Sequence, residues 1–208
     1  MKVSVIIPTY NRSAMIEKTI ISFLNQTLEK NQYEVIVCDN NSSDDTSTVV
    51  FSLIENNPKR VRYLFEGRQG VHYARNTSAK HASGDILYFT DDDMFAEKNL
   101  LEELLKLFDL DAEIGTVTGL VLPLFDEPPP VWVKKYLHNS WLSLTDGHRQ
   151  EKIIISKSDF GVYSCHQAIK KDVFFRSGGF NPENTQGVWV GDHERGNIII
   201  HLFCNRFR

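Results

Sequence analysis

Three adjacent carboxylates, Asp91-Asp-Asp93, directly follow the apolar run Ile86-Leu-Tyr-Phe-Thr90. Carboxylates this close repel one another at neutral pH, and a divalent cation bound through oxygen would neutralise them. The triplet therefore predicts a metal site at the end of a buried strand. The alternative is an exposed acidic turn that caps a helix beginning near Glu97, because Asp is favoured at helix N-termini. Polar residues at the ends of the neighbouring predicted strands favour the metal site.

The triplet belongs to an alternating series of predicted strands and helices. Apolar runs predict strands at residues 3–7, 33–38, 61–65 and 86–90, and apolar residues at helical spacing predict helices at 14–24, 46–56 and 71–81. Such alternation is typical of a mainly parallel, Rossmann-like sheet flanked by helices. Ligands bind outside the carboxyl ends of the strands in such sheets. The sequence places there Thr9-Tyr-Asn11, Asp39-Asn40 and the triplet.

The composition is that of one substantial α/β core. The chain has 208 residues, 41% of them hydrophobic, with a formal net charge of -4 and a pI near 6.0. Without a basic stripe, nucleic acid is not an expected partner. No apolar stretch reaches the ~18 residues of a membrane span. The odd number of cysteines without metal-type spacing indicates a reducing compartment, so we expect a cytoplasmic protein.

The second half of the chain is less regular. Residues 114–122 predict another strand, and Asp126-Glu-Pro-Pro-Pro130 predicts a loop because proline continues neither a helix nor a central strand. An aromatic cluster follows, which would form either a patch packed on the core or a platform for an acceptor. The cluster consists of Trp132, Tyr136 and Trp141.

Five short motifs follow one another along the chain. They are Val3-Ser-Val-Ile-Ile-Pro-Thr-Tyr-Asn-Arg12, Val37-Cys-Asp-Asn-Asn-Ser42, Gly70 with Ala74-Arg-Asn76, Gly84-Asp85 with Phe89-Thr-Asp-Asp-Asp93, and Gly178-Gly-Phe-Asn-Pro182 before Gly191-Asp-His-Glu194. Each motif alone is weak, but their order and spacing together resemble the family 2 glycosyltransferases. The similarity runs from the first strand to about Glu194. It implies the GT-A fold, an α/β architecture with a smaller acceptor-side region.

The resemblance implies inverting transfer of a sugar from a nucleoside diphosphate donor, usually a UDP-sugar, to a hydroxyl group. Tyr10 would stack near the base, beside main-chain groups of Pro8 and Thr9. Asp39 or its neighbour Asn40 would hydrogen-bond the uracil edge, unless Asp39 only caps a helix. Two arginines complete the implied nucleotide-sugar site. Arg12 belongs to the first motif. Arg75 would lie near the nucleotide or the acidic triplet, or it would be an ion-pair partner that supports the site from behind.

The triplet resembles the DxD-type motif of the family, with one departure. Many relatives have Asp-x-Asp-Asp, whereas this chain has Thr90 in the first position. We assign Asp91 to the ribose or diphosphate and Asp92 to the metal, with Asp93 as the alternative ligand. Mg²⁺ or Mn²⁺ suits oxygen ligands and a diphosphate partner.

The resemblance also implies a catalytic base. Asp192 matches the carboxylate of the family's Glu-Asp-x-Glu pattern, where it deprotonates the acceptor hydroxyl. Gly191 replaces the preceding Glu, and Glu194 is the alternative base. His193 is expected to be a polar surface residue or to lie behind the site.

The predicted protein is a nonprocessive glycosyltransferase in surface polysaccharide or glycolipid assembly, at work in the cytoplasm or at the inner face of the membrane. Residues 1–120 would bind the donor, and residues 121–208 would form the acceptor side of the same domain. The segment after Glu194 does not match the family's usual helix, so we expect an altered or shortened C-terminus. The alternative function is a catalytically weak nucleotide-sugar-binding domain. A dehydrogenase is excluded because no Gly-x-Gly-x-x-Gly follows the first strand.

Overall fold

The computed structural model describes residues 1–125, 127–134, 155–156, 164–182 and 197–207. Its strands are β1 (Val3–Thr9), β2 (Tyr33–Asp39), β3 (Val61–Phe65), β4 (Ile86–Thr90), β5 (Met94–Ala96), β6 (Ile114–Leu124), β7 (Ile155–Ser156), β8 (His166–Lys170) and β9 (Asn197–Phe207). Its helices are α1 (Ser13–Leu24), α2 (Thr46–Asn56), α3 (Val71–His81), α4 (Leu100–Leu110), α5 (Val131–Lys134) and α6 (Lys171–Arg176). The first four predicted strands and the first three predicted helices are all present.

The described strands form one sheet with the order β3-β2-β1-β4-β8-β6-β9-β5, and β7 pairs with β9. The four strands β3, β2, β1 and β4 are parallel, as the sequence predicts. Antiparallel pairing begins at β8, which lies between β4 and β6. The strands β5 and β9 were not predicted, and β9 runs parallel to β6 along residues 197–207. The sheet is therefore parallel from β3 to β4 and mixed beyond β4.

Both faces of the sheet are covered, which explains why the strand sequences are continuously apolar. One face packs against α1, α2 and α4, through buried residues such as Ile20, Val50 and Leu104. The opposite face packs against α3 and α6, through Ala79 and Phe174. Among the described helices, none has both the length and the apolar character needed to cross a bilayer.

Gly84 brings β4 against β1. A Cβ atom at this position would lie 2.7 Å from the backbone nitrogen of Ser4 and 2.8 Å from the carbonyl oxygen of Lys2, so only glycine fits. The parallel pairing that follows sets Ile86 beside Val3 and Phe89 beside Ile6. As a result, β1 and β4 end at the same edge of the sheet, and the loops after them meet there.

Candidate functional site

A cleft of about 450 Å³ opens at the carboxyl ends of β1, β2 and β4. It is lined by Pro8, Thr9, Tyr10, Arg12, Asn40, Gln69, Gly70, Val71, Asp91, Asp92 and Asp93. The structure thus brings most of the predicted donor-site residues and the whole acidic triplet to one cavity. Asp39 and Arg75, also predicted for this site, do not line it.

Asp92 is more enclosed than Asp91: its side chain is 13% exposed, against 24% for Asp91. Thr9 Oγ1 donates a hydrogen bond of 2.8 Å to its Oδ2, and Arg12 Nε lies 3.8 Å from its Oδ1. Burial raises the pKa of Asp92 to about 6, and the carboxylates of Asp91 and Asp93 act in the same direction, while Thr9 and Arg12 oppose them. The charged form of Asp92 is therefore costly, and a bound cation would stabilise it.

Asp91 is held from behind by Arg75. The guanidinium Nη2 donates to Asp91 Oδ1 at 2.7 Å, and the Arg75 side chain is only 5% exposed. Arg75 therefore lies beside the acidic triplet and forms an ion pair with it, and it does not line the cleft. Arg75 can influence a ligand in the cleft through Asp91.

The interpretation of the triplet as a helix cap is wrong. Strand β5 lies between Asp93 and α4, and α4 begins at Leu100 with Asn99 as its N-cap. The three carboxylates therefore line the cleft instead of completing a helix N-terminus.

Asp39 lies under the floor of this region, with 2% of its surface exposed. Its Oδ1 accepts a hydrogen bond of 2.8 Å from the backbone N–H of Ser42, and its Oδ2 accepts one of 2.8 Å from the Tyr63 hydroxyl. Burial and the carboxylate of Asp39 raise the pKa of Tyr63, so Tyr63 remains a donor. Asp39 is not the N-cap of α2, which is Asp45. These contacts hold the loop that follows β2.

Asn40 organises the loop of residues 66–70. Its amide nitrogen donates to the carbonyl oxygens of Glu66 at 3.0 Å and Arg68 at 2.7 Å. Its Oδ1 accepts from the backbone N–H of Gly70 at 2.7 Å, and Gln69 Nε2 donates to its main-chain oxygen at 2.6 Å. Both amide hydrogens of the Asn40 side chain are thus engaged within the protein.

The 66–70 loop and the start of α3 bring Gln69, Gly70 and Val71 into the cleft. Of these three residues, only the motif glycine was suggested by the sequence. The available signal was the pair Gly67 and Gly70 at the end of a predicted parallel strand. Tyr10 lines the same cleft and is 49% exposed.

Asparagines in left-handed backbone conformations join the loops after β1 and β2. Asn11 has a φ of 52° and Asn41 a φ of 69°, which asparagine tolerates better than most residues. Asn11 Oδ1 accepts from the backbone N–H of Ser43 at 2.8 Å, and the Asn11 N–H donates to Ser42 Oγ at 2.9 Å. These bonds fix the loop that carries Tyr10.

The carboxylate oxygens in the cleft suit a cation that is also coordinated by a bound ligand. Within the described ranges, no group of three His, Cys, Asp or Glu side chains converges as a closed metal site. Mg²⁺ commonly takes one or two carboxylates and completes its shell with water and substrate phosphates. Asp92 and Asp93 on an open cleft fit that chemistry.

Part of the predicted acceptor side lies outside the described residues. This applies to Asp192, the predicted base, to its alternative Glu194, and to Gly191 and His193. Of the aromatic cluster, Tyr136 and Trp141 also lie outside, while Trp132 is 68% exposed.

Known proteins match both the sequence and the fold. The model of glycosyl transferase family 2 matches residues 4–176. A GalNAc(5)-diNAcBac-PP-undecaprenol beta-1,3-glucosyltransferase of Campylobacter jejuni is 42% identical over 94 residues, which are 44% of this chain and 29% of that protein. The chain spans about 30% of the length of the curated relatives that it matches.

Two solved structures show the same fold at low sequence identity. TarS 1-349 of Staphylococcus aureus, in complex with UDP, superposes with a TM-score of 0.74 at 18% identity, covering 100% of this chain and 61% of that one. The mannosyltransferase PcManGT of Pyrobaculum calidifontis, in complex with GDP-Man and Mn²⁺, gives 0.73 at 22% identity, covering 99% and 56%. The predicted GT-A fold is confirmed, and by its family match this chain belongs to glycosyl transferase family 2.

Proposed function

We propose that this protein transfers a sugar from a nucleoside diphosphate donor, with a UDP-sugar favoured, to a hydroxyl group of an acceptor. The observation that carries the proposal is the cleft in which Tyr10 and the 66–70 loop accompany three carboxylates. An exposed aromatic ring suits a nucleobase, and the carboxylate cluster suits a metal-bound diphosphate. The family membership supports the transferase class, and the UDP complex of TarS supports the donor class.

In this proposal the nucleotide lies across the ends of β1 and β2. The base stacks on Tyr10 beside main-chain groups of Pro8 and Thr9, and the buried Asp39 sets the shape of the site behind the base. Asn40 contributes through the 66–70 loop that its side chain holds. Asp91 contacts the ribose or diphosphate. In a separate role, the half-exposed Arg12 offers positive charge to the phosphates.

Asp92, with Asp93 beside it, would hold a Mg²⁺ or Mn²⁺ ion. When bound, the ion would neutralise charge that develops on the departing nucleoside diphosphate. The raised pKa of Asp92 supports this assignment, because the buried carboxylate gains most from a neighbouring cation. The Mn²⁺ in the PcManGT complex supports the same ion class.

We further propose a single displacement with inversion at the anomeric carbon. The acceptor oxygen bonds to that carbon, the bond to the diphosphate oxygen breaks, and Asp192 takes the acceptor proton. Residues 121–208 would supply this acceptor side. The acceptor would be a saccharide or a lipid-linked saccharide in surface polysaccharide or glycolipid assembly, used nonprocessively at the inner face of the membrane. The name of the Campylobacter relative, which includes PP-undecaprenol, supports the lipid-linked class.

The experiment is a thermal-shift screen of UDP-, GDP- and dTDP-sugars with and without Mn²⁺, followed by an assay of nucleotide release with an acceptor panel. A ligand at 100 times its Kd stabilises the folded protein by about 2.7 kcal/mol, so binding is readily seen. We expect the largest shift for a UDP-sugar with Mn²⁺, and UDP release that depends on an acceptor. No shift with any donor would refute the proposal. Binding without transfer or hydrolysis would instead support a nucleotide-sugar-binding domain.

A further inference from the structure

Two of the sequence motifs, Ala74-Arg-Asn76 and Gly178-Gly-Phe-Asn-Pro182, meet in the fold. Asn76 Nδ2 donates to the carbonyl oxygen of Phe180 at 2.8 Å, and the N–H of Phe180 donates to Asn76 Oδ1 at 3.0 Å. His72 Nδ1 lies 2.7 Å from the carbonyl oxygen of Asn181. Residues 72 and 76 are one helical turn apart, so one face of α3 holds the backbone of the turn.

The turn has the backbone geometry that this contact needs. Gly178 and Gly179 have φ values of 84° and 73°, a conformation that L side chains rarely adopt. A Cβ atom on Gly179 would lie 3.0 Å from Asn76 Oδ1 and 3.3 Å from the ring of Phe174. The glycines therefore allow the turn to approach α3 and place the Phe180 ring in the core, where it is 4% exposed.

Arg75 lies between this turn and the acidic triplet. Its guanidinium carbon is 5.2 Å from the centroid of the Phe180 ring, and its Nη2 donates to Asp91 Oδ1 at 2.7 Å. The side chain is 5% exposed, and Nε has no hydrogen-bond partner among the described residues. The Phe180 ring and the Asp91 carboxylate are thus two principal contacts that orient a buried cation.

We propose that Phe180, held by Asn76, is a positioning residue for the donor site and acts on Asp91 through Arg75. Because the proposal concerns how Asp91 meets a nucleotide, it rests on the proposed function. Phe180 does not line the cleft, yet its ring determines where the guanidinium lies and therefore how the Asp91 carboxylate is presented. The turn of the second half and the donor site of the first half are in this way linked.

The test measures UDP affinity in the presence of Mn²⁺ by calorimetry, on the full chain. Phe180→Leu keeps most of the apolar volume and removes the ring face, and we expect it to weaken UDP binding by about 5- to 10-fold. Arg75→Lys keeps the charge but loses the planar group, and it should weaken binding similarly. If both act through one contact, adding Phe180→Leu to Arg75→Lys should cost less than about twofold more. Circular dichroism monitors the fold of each variant.

Phe175→Leu is the matched control. Phe175 is the neighbouring aromatic residue of α6. It is 43% exposed, and its ring packs edge-on against the ring of Phe174. Its loss should leave UDP affinity unchanged. Should Phe180→Leu fail to fold, Asn76→Ala releases the turn without altering the ring and should reproduce the weaker binding. Unchanged affinity in the folded Phe180 or Asn76 variant would overturn the proposal, and so would losses that multiply in the double variant.

If the wild-type protein binds none of UDP, GDP and dTDP in the presence of Mn²⁺, the proposed function is refuted. That result alone would not refute the linkage of Phe180 to Asp91 through Arg75. The linkage is then judged by the unfolding constants of Asp91→Asn, Phe180→Leu and the double variant. The two residues share Arg75 as a partner, so their effects should deviate from additivity by about threefold or more. Additive effects would overturn the linkage independently of any nucleotide.

Discussion

Thr9, the last residue of β1, donates a 2.8 Å hydrogen bond to Asp92, which lies two positions after β4. A second threonine, Thr19 of α1, donates to the carbonyl oxygen of Asp92 at 2.8 Å. These bonds hold a carboxylate in a buried place where its charge is unfavourable, and its pKa rises to about 6 because of that burial. The negative charge of Asp92 is therefore unfavourable by itself, and a bound cation would stabilise it.

We expect Asp92→Asn to stabilise the protein at pH 8 while abolishing most metal-dependent UDP binding. The folded-state pKa of about 6 lies above the usual 3.8, so wild-type stability falls as the pH rises from about 4 to about 6 and remains reduced above that range. The neutral amide removes this penalty, a gain of about 3 kcal/mol at pH 8 that should vanish below pH 4.

Urea unfolding at the two pH values, with calorimetry of UDP and Mn²⁺, checks this expectation for Asp92. Glu17→Gln is the control, because it removes an exposed carboxylate of α1 away from the cleft. A variant less stable than wild type at pH 8 would contradict the argument from burial. Undiminished Mn²⁺ dependence, together with its loss in Asp93→Asn, would move the metal to Asp93.

Removal of the metal should weaken UDP binding strongly. The diphosphate and the carboxylates of Asp91 to Asp93 carry like charges, and they repel until a cation neutralises them. Calorimetric titrations of UDP in Mn²⁺ and in excess EDTA measure the difference. Equal affinities in the two buffers would argue against any metal role for the triplet.

Tyr10→Ala should weaken UDP binding by roughly 1 to 3 kcal/mol, the size found for bases that stack on aromatic side chains. The ring is 49% exposed on the cleft, so its removal should change folding stability little. Phe175→Ala removes a ring of similar exposure outside the cleft and serves as the comparison in the same calorimetric assay. Unchanged affinity for Tyr10→Ala would leave Tyr10 without a role in base binding.

Glu66→Gln should destabilise the protein at neutral pH, because the amide loses the charge that Arg68 and Thr77 stabilise. We expect a loss of about 1 kcal/mol; it is small because the exposed Arg68 partner is screened by solvent. Hydrogen bonds from Arg68 and Thr77 lower the pKa of Glu66 to about 2 from its usual 4.5. The stability that the carboxylate contributes is complete above pH 4.5 and is lost as the pH falls towards 2. Chemical unfolding of both proteins at pH 7 and pH 2.5 should show the difference shrinking, and a constant difference would contradict this account.

Asp192→Asn should leave binding of UDP-sugar and Mn²⁺ near wild type while transfer falls by roughly 100-fold or more, as expected for loss of a general base. The motivation is its place after Gly178-Gly-Phe-Asn-Pro182 in the motif order. Single-turnover transfer assays on the Asn variant and on Glu194→Gln separate the two candidates. Wild-type rates in the Asp192 variant would move the role to Glu194 or elsewhere.

The sequence by itself determined the parallel half of the fold and the edge of the sheet at which its polar motifs meet. The strands β1 to β4 and the helices α1 to α3 could be predicted because the pattern of apolar residues within each segment indicates its secondary structure, whatever the rest of the chain does. Because ligands bind at the carboxyl ends of parallel strands, the sequence also predicted that Tyr10 and the triplet lie close together, and both line one cleft.

Only the tertiary structure decided what each polar group at that edge contacts. Asn40 is saturated by the 66–70 loop, and Asp39 is bonded to Tyr63, 24 positions away. Arg75 donates a hydrogen bond to Asp91 and lies over the ring of Phe180, although Asp91 and Phe180 are far apart in the sequence. The directions of β8 and β9 were equally unavailable from local pattern. Hydrogen-bonding capacity is a property of a residue, but its partner is set by how distant segments pack, and packing also set the pKa of Asp92.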